Sequence, residues 1–306
     1  MIPRFLFVDL LMQRNIENAV VANIRISMKT VFNRTIFVSV NTEKPLMRHL
    51  SLFRFSLLAV TIVALFSCNK KEEYVTEKLS DYIPLTPGKF ITYRLDSMVF
   101  TNFGRNTEIH KYQVKHVIDA LITDNIGRPS YRVFVYTRDS AGLQPWQPAG
   151  NTYFITPLSD QVELIESNLR FIKIHAPVKD AFTWKGNKYL PSDTCGGPYC
   201  PLYKFSNDDD IQDWDYYYDG NTTSFSYRGI SYKDVITIEQ ADESFNVPIT
   251  VPTSYAARTR SVEKYSKNIG LAYREYELWE YQPNTGNPAG PYKTGFGITM
   301  WMIDHN

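Results

Sequence analysis

Tyr131-Arg132-Val133-Phe134-Val135-Tyr136-Thr137-Arg138 is built from β-branched and aromatic residues, with Gly127 and Pro129 before it and the Asp139–Gly142 turn after it. That composition between turn residues reads as a strand. The pattern repeats on both sides. Ile91, Tyr93, Leu95 and Val99 alternate with Thr92, Arg94 and Asp96; Tyr112, Val114, His116 and Ile118 alternate with Lys111, Gln113 and Lys115. This is the period of two expected of half-buried strands. Further strand-like runs are Gln161–Glu166, Leu169–His175, Lys233–Gln240, Leu271–Tyr281 and Gly297–Ile303. Gln144–Pro148 and Asn284–Pro291 read as loops from their Pro, Gly and Asn content. Ala256–Lys267 reads either as a short helix or as the lead into a strand. From Asp81 onward no stretch sustains a 3.6-residue period. About ten strands with short connections predict an all-β, mostly antiparallel fold: a single large curved sheet, a sandwich or a partly closed barrel with little helix. No internal repeat or linker divides it.

The segment ahead of this region has a different character. Met47-Arg48-His49-Leu50-Ser51-Leu52-Phe53-Arg54 is basic, and an uncharged run of 13 residues, Phe55–Ser67, follows and ends at Cys68. A bilayer-spanning helix needs about 20 apolar residues, so the run fits the h-region of an export signal. Leu65-Phe66-Ser67-Cys68 resembles the lipobox of bacterial lipoproteins, with Phe66 where a smaller residue is commoner. The resemblance implies cleavage before Cys68 and acylation of that residue, palmitate among the acyl groups. Residues 1–46 then precede the natural start of a signal peptide, and we expect them to be an upstream extension without order. Residues 47–67 are the expected signal, 68–80 a lipidated tether, and 81–306 the exported β domain. Asn69-Lys70-Lys71-Glu72-Glu73 reads as a solvated tether and also resembles a lysine-plus-acidic surface-export signal of Bacteroidota lipoproteins.

Two further stretches carry a family resemblance. Asp81-Tyr82-Ile83-Pro84-Leu85-Thr86-Pro87-Gly88-Lys89-Phe90-Ile91-Thr92-Tyr93 resembles the opening of a set of Bacteroidota outer-membrane lipoproteins, with Phe90 where Trp is usual. Lys264–Glu275 resembles a strand of the same set, keeping Gly270 and departing at Ser266 and Asn268. The resemblance implies a β-rich domain on the periplasmic or outer face of the outer membrane, and it brings no catalytic residues with it.

Charge changes with the expected processing. The whole chain is +1, but the 239 residues from Cys68 onward hold 25 basic and 29 acidic side chains, a net of −4. A mildly acidic surface argues against nucleic acid as a partner. Aromatic residues make up 14% of the chain, and all 21 tyrosines follow Cys68, so the aromatic excess belongs to the exported part.

Candidate chemistry is sparse. Cys195 and Cys200, with Gly196, Gly197 and Pro198 between them, read as a disulfide-closed loop in an oxidising compartment. Asp208, Asp209, Asp210, Asp213 and Asp215 are candidate calcium ligands, although the spacing lacks the EF-hand order and a solvated acidic loop is the competing reading. His116 shares a face with Tyr112, Val114 and Ile118 and reads as a satisfied core histidine. Glu275 and Glu277 share a strand face and read as ordinary surface. No nucleophile elbow, phosphate loop or paired histidine occurs. We expect no enzyme activity and no cofactor.

Two functional readings remain, besides a hydrolase assembled from distant residues. The first is a non-catalytic envelope lipoprotein whose β domain binds a protein or envelope component, in an oligomeric state the sequence leaves open. The second is a glycan-binding surface lipoprotein, with Trp146, Trp214, Tyr216, Tyr217 and Tyr218 in polar loops stacking on sugar rings. The anchor common to both is testable: Cys68→Ala should abolish metabolic labelling of the protein by a palmitate analogue, and continued labelling would overturn the lipobox assignment.

Overall fold

The computed structural model describes residues 77–190, 211–284 and 290–306. The expected signal, Cys68, the Cys195–Cys200 pair and Asp208, Asp209 and Asp210 lie outside the described residues. A single helical turn, α1 (Leu79–Tyr82), opens the described chain. Six strands follow as successive antiparallel neighbours: β1 (Phe90–Thr101), β2 (Asn106–Thr123), β3 (Pro129–Asp139), β4 (Gln147–Pro157), β5 (Gln161–Glu166) and β6 (Leu169–His175). After β7 (Thr183–Lys185) and a 3-10 turn at Ile211–Asp213 come β8 (Asp215–Tyr218), β9 (Thr223–Tyr227), β10 (Ile230–Phe245), β11 (Ala256–Ser266), β12 (Gly270–Gln282) and β13 (Tyr292–His305).

The expectation of an all-β antiparallel fold holds. One sheet runs in the order β6-β5-β4-β3-β2-β1-β13-β12-β11-β10-β8-β7, with β9 paired to β10. The first strand therefore pairs with the last, Tyr93 opposite Met302 and Leu95 opposite Met300. The chain leaves this central seam along one arm to β6, crosses to the far edge at β7, and returns along the other arm. Long strands with bulges between Ile118 and Ala120 and between Glu239 and Ala241 allow the sheet to coil strongly. Its two edges meet. The Ile172 amide donates to Gly186 O (2.7 Å), Trp184 Nε1 donates to Ile172 O (3.0 Å), and Tyr218 Oη donates to His175 O (2.6 Å). The result is a nearly closed barrel, joined at β6 and β7 by individual bonds rather than by a ladder.

The structure decides one open reading and corrects three others. Of the two readings of Ala256–Lys267 the strand holds: Ala256–Ser266 is β11, its backbone satisfied by ladders on both sides, to β10 and β12. Gln147 and Pro148, read as loop, begin β4, and Tyr216–Tyr218 form β8 instead of a polar loop. The folded domain also starts before residue 81: Leu79 and Tyr82 are buried and belong to the same core cluster as Trp184 and Tyr218.

On the outer face the β9–β10 hairpin folds back over the central strands. Tyr227 packs on Tyr273 (ring centroids 4.9 Å) and Trp301 (5.3 Å), Arg228 covers Trp301 at 4.9 Å, and Tyr232 Oη donates to Met302 O at 2.7 Å.

Gly295 shows how closely β12 and β13 approach. It faces Trp279 across the ladder with φ +109°, and a Cβ there would lie 2.0 Å from Leu278 O. Gly295→Ala should therefore cost roughly 2–3 kcal/mol, read as a lower urea midpoint at unchanged slope. An unaltered midpoint would show that this pairing is not tight in solution.

Candidate functional site

The alternation that builds each strand sends one set of side chains into the barrel. From β1 and β2 these include Leu95, Val99, Tyr112 and Val114; from β3 and β5, Val133, Val135 and Leu164; from β13, Ile298 and Met300. They do not meet at the axis. A cavity of about 730 Å³ remains between them, within the range of roughly 300–1,000 Å³ typical of small-molecule sites.

One region of this apolar wall is charged. Lys173, beside Phe171 on β6, donates to Glu263 Oε1 on β11 at 2.8 Å, and both side chains are buried. Tyr265 Oη donates to Glu263 Oε2 at 2.8 Å, and Arg274 Nε on β12 lies 3.4 Å from Oε1. Burial by itself would raise the Glu263 carboxyl; Lys173 and Arg274, with the bonds from Lys173 and Tyr265, outweigh it and hold the group below the usual carboxylate range. Burial lowers the Lys173 ammonium, against the pull of Glu263. The cluster lines the cavity, as does His116, whose Nδ1 is 2.9 Å from Tyr153 Oη. The His116 ring stands edge-on to Tyr93 at 5.0 Å. Desolvation, aided by Arg274, pushes the imidazole down to about 4, so it is neutral at physiological pH.

The five aromatic residues expected to stack on sugar do not form a platform. In β8 the strand period turns Tyr216 and Tyr218 inward, 2% and 1% exposed, while Tyr217 points outward at 39%. Trp214 is 6% exposed. Trp214 and Tyr216 line the interior cavity, and Tyr218 packs on Trp184 at 5.0 Å. Trp146 stands apart, its ring covered by Arg138 at 4.2 Å and Lys115 at 4.8 Å. Rings buried in the core cannot meet a polysaccharide from solvent, which removes the geometric basis for that reading. Of the calcium candidates, Asp215 pairs with Lys185 at 3.0 Å and Asp213 contributes its carbonyl to the same ammonium at 2.7 Å.

Sequence reasoning placed His116 correctly and missed Lys173, Glu263 and Arg274. The available signal was weak: β6 also carries Arg170, β11 Arg258, Arg260 and Lys264, and β12 Glu275, Glu277 and Glu280, so one more charge at an inward position does not stand out.

Neither a family model nor a curated protein matches the chain. Among solved structures, a proposed exported protein with a YmcC-like fold from Bacteroides fragilis is similar at 10% identity, over 72% of this chain and 96% of that one, with a TM-score of 0.28. A proposed outer-membrane lipoprotein-sorting protein domain from Vibrio parahaemolyticus is similar at 11% identity over 72% and 85%, with a TM-score of 0.17. At such TM-scores neither bears on fold or function, which rest on the geometry above.

His116 makes the site sensitive to acid. Its folded value lies below that of an exposed histidine, so on acidification the unfolded chain takes up the proton first. The associated stability is complete above about pH 6.5 and is lost as pH falls towards the folded value of about 4. Unfolding by urea at about pH 4.5 should show a loss of roughly 2–3 kcal/mol from this group relative to pH 7. His116→Gln should lose correspondingly less over the same interval; identical losses would mean that His116 is not buried as a neutral ring.

Proposed function

We propose that the chain is a non-catalytic envelope lipoprotein, anchored through acylated Cys68, whose β domain takes an elongated apolar molecule into its lumen. The observation that carries this reading is the cavity of about 730 Å³, walled by aliphatic and aromatic side chains from both arms of the sheet. An unoccupied apolar cavity of that size forgoes the dispersion contacts that close packing would supply. A ligand with an apolar body restores them. The polar groups of the wall chiefly engage one another, Lys173 with Glu263 and His116 with Tyr153, as expected of a binding wall rather than a reactive centre. The resemblance of Leu65–Cys68 to a lipobox supports the envelope location, and the cavity supports the binding role.

The test uses the full-length lipoprotein in membranes. Hexadecanol bearing a mid-chain diazirine is added, photolysed, and its adducts are mapped by mass spectrometry. Adducts should fall on inward residues such as Val99, Val135 and Leu164. Leu95→Trp on β1 and Leu164→Trp on β5 fill the cavity from opposite walls, and each should reduce labelling at least about fivefold with little change in thermal unfolding. Adducts confined to the outer face, in the wild type alone, would overturn the reading whatever the variants do.

A further inference from the structure

The cavity is apolar over most of its wall, yet at one place it displays hydrogen-bond donors that nothing among the described residues accepts. Trp214 Nε1, Gln240 Nε2 and Arg274 Nε are all buried without a hydrogen-bond partner, and all three residues line the cavity. They are grouped around a single side chain. Tyr276 meets Trp214 edge-on at 6.5 Å, and the Arg274 guanidinium lies 5.2 Å over its ring. Gln240 is held by Ser261, whose Oγ donates to Gln240 Oε1 at 2.7 Å, and Ser261 is directly opposite Tyr276 in the β11–β12 ladder.

Buried N–H groups are rarely left unmet, because each has given up its bond to water. Arg274 Nε is ion-paired with Glu263 Oε1 at 3.4 Å, which balances its charge, but the N–H is not met by a hydrogen bond there. Guanidinium groups present several donors in one plane, which suits a two-oxygen anion. Of the charged wall residues, Lys173 and Arg274 stand against Glu166 and Glu263 while the Lys89 ammonium is turned to the exposed carbonyls of Asn268 and Asn306, so the interior charges balance and the unmet donors carry the preference for an acceptor head.

From this grouping we propose that the lumen selects a single-chain amphiphile with an anionic head, a carboxylate or a phosphate monoester, whose oxygens accept from Trp214, Gln240 and Arg274 while its chain lies along the apolar wall. The proposal rests on the lumen-binding reading above and adds the polarity and place of the head group.

Competition against diazirine-hexadecanol labelling of the full-length protein in membranes tests it. The competitors are palmitate, hexadecyl phosphate, hexadecanol and hexadecyltrimethylammonium. Palmitate, hexadecyl phosphate or both should displace the probe at concentrations about tenfold below that of hexadecanol, the gain expected of charge-assisted bonds, and the cation should be weaker. Whichever anion is the stronger competitor identifies the head. Arg274→Gln leaves Glu263 its bonds to Lys173 and Tyr265, and Trp214→Phe keeps a ring against Tyr276. Each should narrow the gap between anion and alcohol while hexadecanol labelling persists. Equal potency of anions and hexadecanol in the wild type, or a gap that survives both substitutions, would sink the head-group assignment and leave the cavity reading intact. Absence of lumen labelling by the probe itself would overturn both.

Discussion

Lys173 and Glu263 belong to opposite arms of the sheet, β6 and β11, and their bond of 2.8 Å reaches across the interior of the barrel. Taking both charges out of water is costly, and the pair is sustained only because each partner is matched and Glu263 gains Tyr265 and Arg274 as well. Removal of one partner would leave the other buried and uncompensated. The pair therefore acts as a positional constraint. It holds the end of the first arm facing the second, where Trp184 and Tyr218 can add their bonds to the backbone of β6. A closed barrel is ordinarily completed by a ladder, but here side chains perform much of that joining. The cavity follows from this arrangement, since side chains that reach across to fix the edges hold the walls apart.

Tyrosine is suited to such a fold. Tyr82, Tyr93, Tyr216, Tyr218 and Tyr232 are among the largest fully buried side chains. In three of them the hydroxyl is placed where one polar bond is wanted at the end of an apolar body: Tyr216 to Asn187 Oδ1, Tyr218 to His175 O, Tyr232 to Met302 O. Phenylalanine at these positions would fill the same volume and leave the acceptors unmet. The aromatic excess, which in the sequence could also mean exposed stacking surfaces, is here largely a means of joining strands and hairpins through the core.

Much of the architecture was legible because a period of two is a local signal. β5 and β6 coincide with the runs read from sequence, and β1, β2, β3, β10, β12 and β13 extend theirs at one or both ends. β4 was hidden by Pro148, Gly150 and Asn151, residues that ordinarily mark loops, and β8 by the acidic residues that precede it. The site was less legible for a different reason. Lys173 and Glu263 are 90 residues apart, and nothing in either local pattern names the other. His116 was legible because its neighbours at every second position are apolar, so parity alone placed it on the wall.

Net charge at the surface and polar groups in the interior act differently on what can bind. Residues 68–306 are −4 overall, but those charges are largely on a surface where salt screens them within about 10 Å. The lumen wall carries Lys173 and Arg274 against Glu166 and Glu263, a balanced set in a space where the effective dielectric is far lower. An anionic amphiphile is repelled weakly at the surface and inside meets the unmet donors of Trp214, Gln240 and Arg274. An apolar chain with a neutral head would gain the wall contacts but leave the Trp214, Gln240 and Arg274 donors unmet, and a cationic head would in addition meet Lys173 and Arg274. Apolar area thus sets how much of a molecule the barrel can hold, while the few polar groups on β10, β11 and β12 set which end of it goes where.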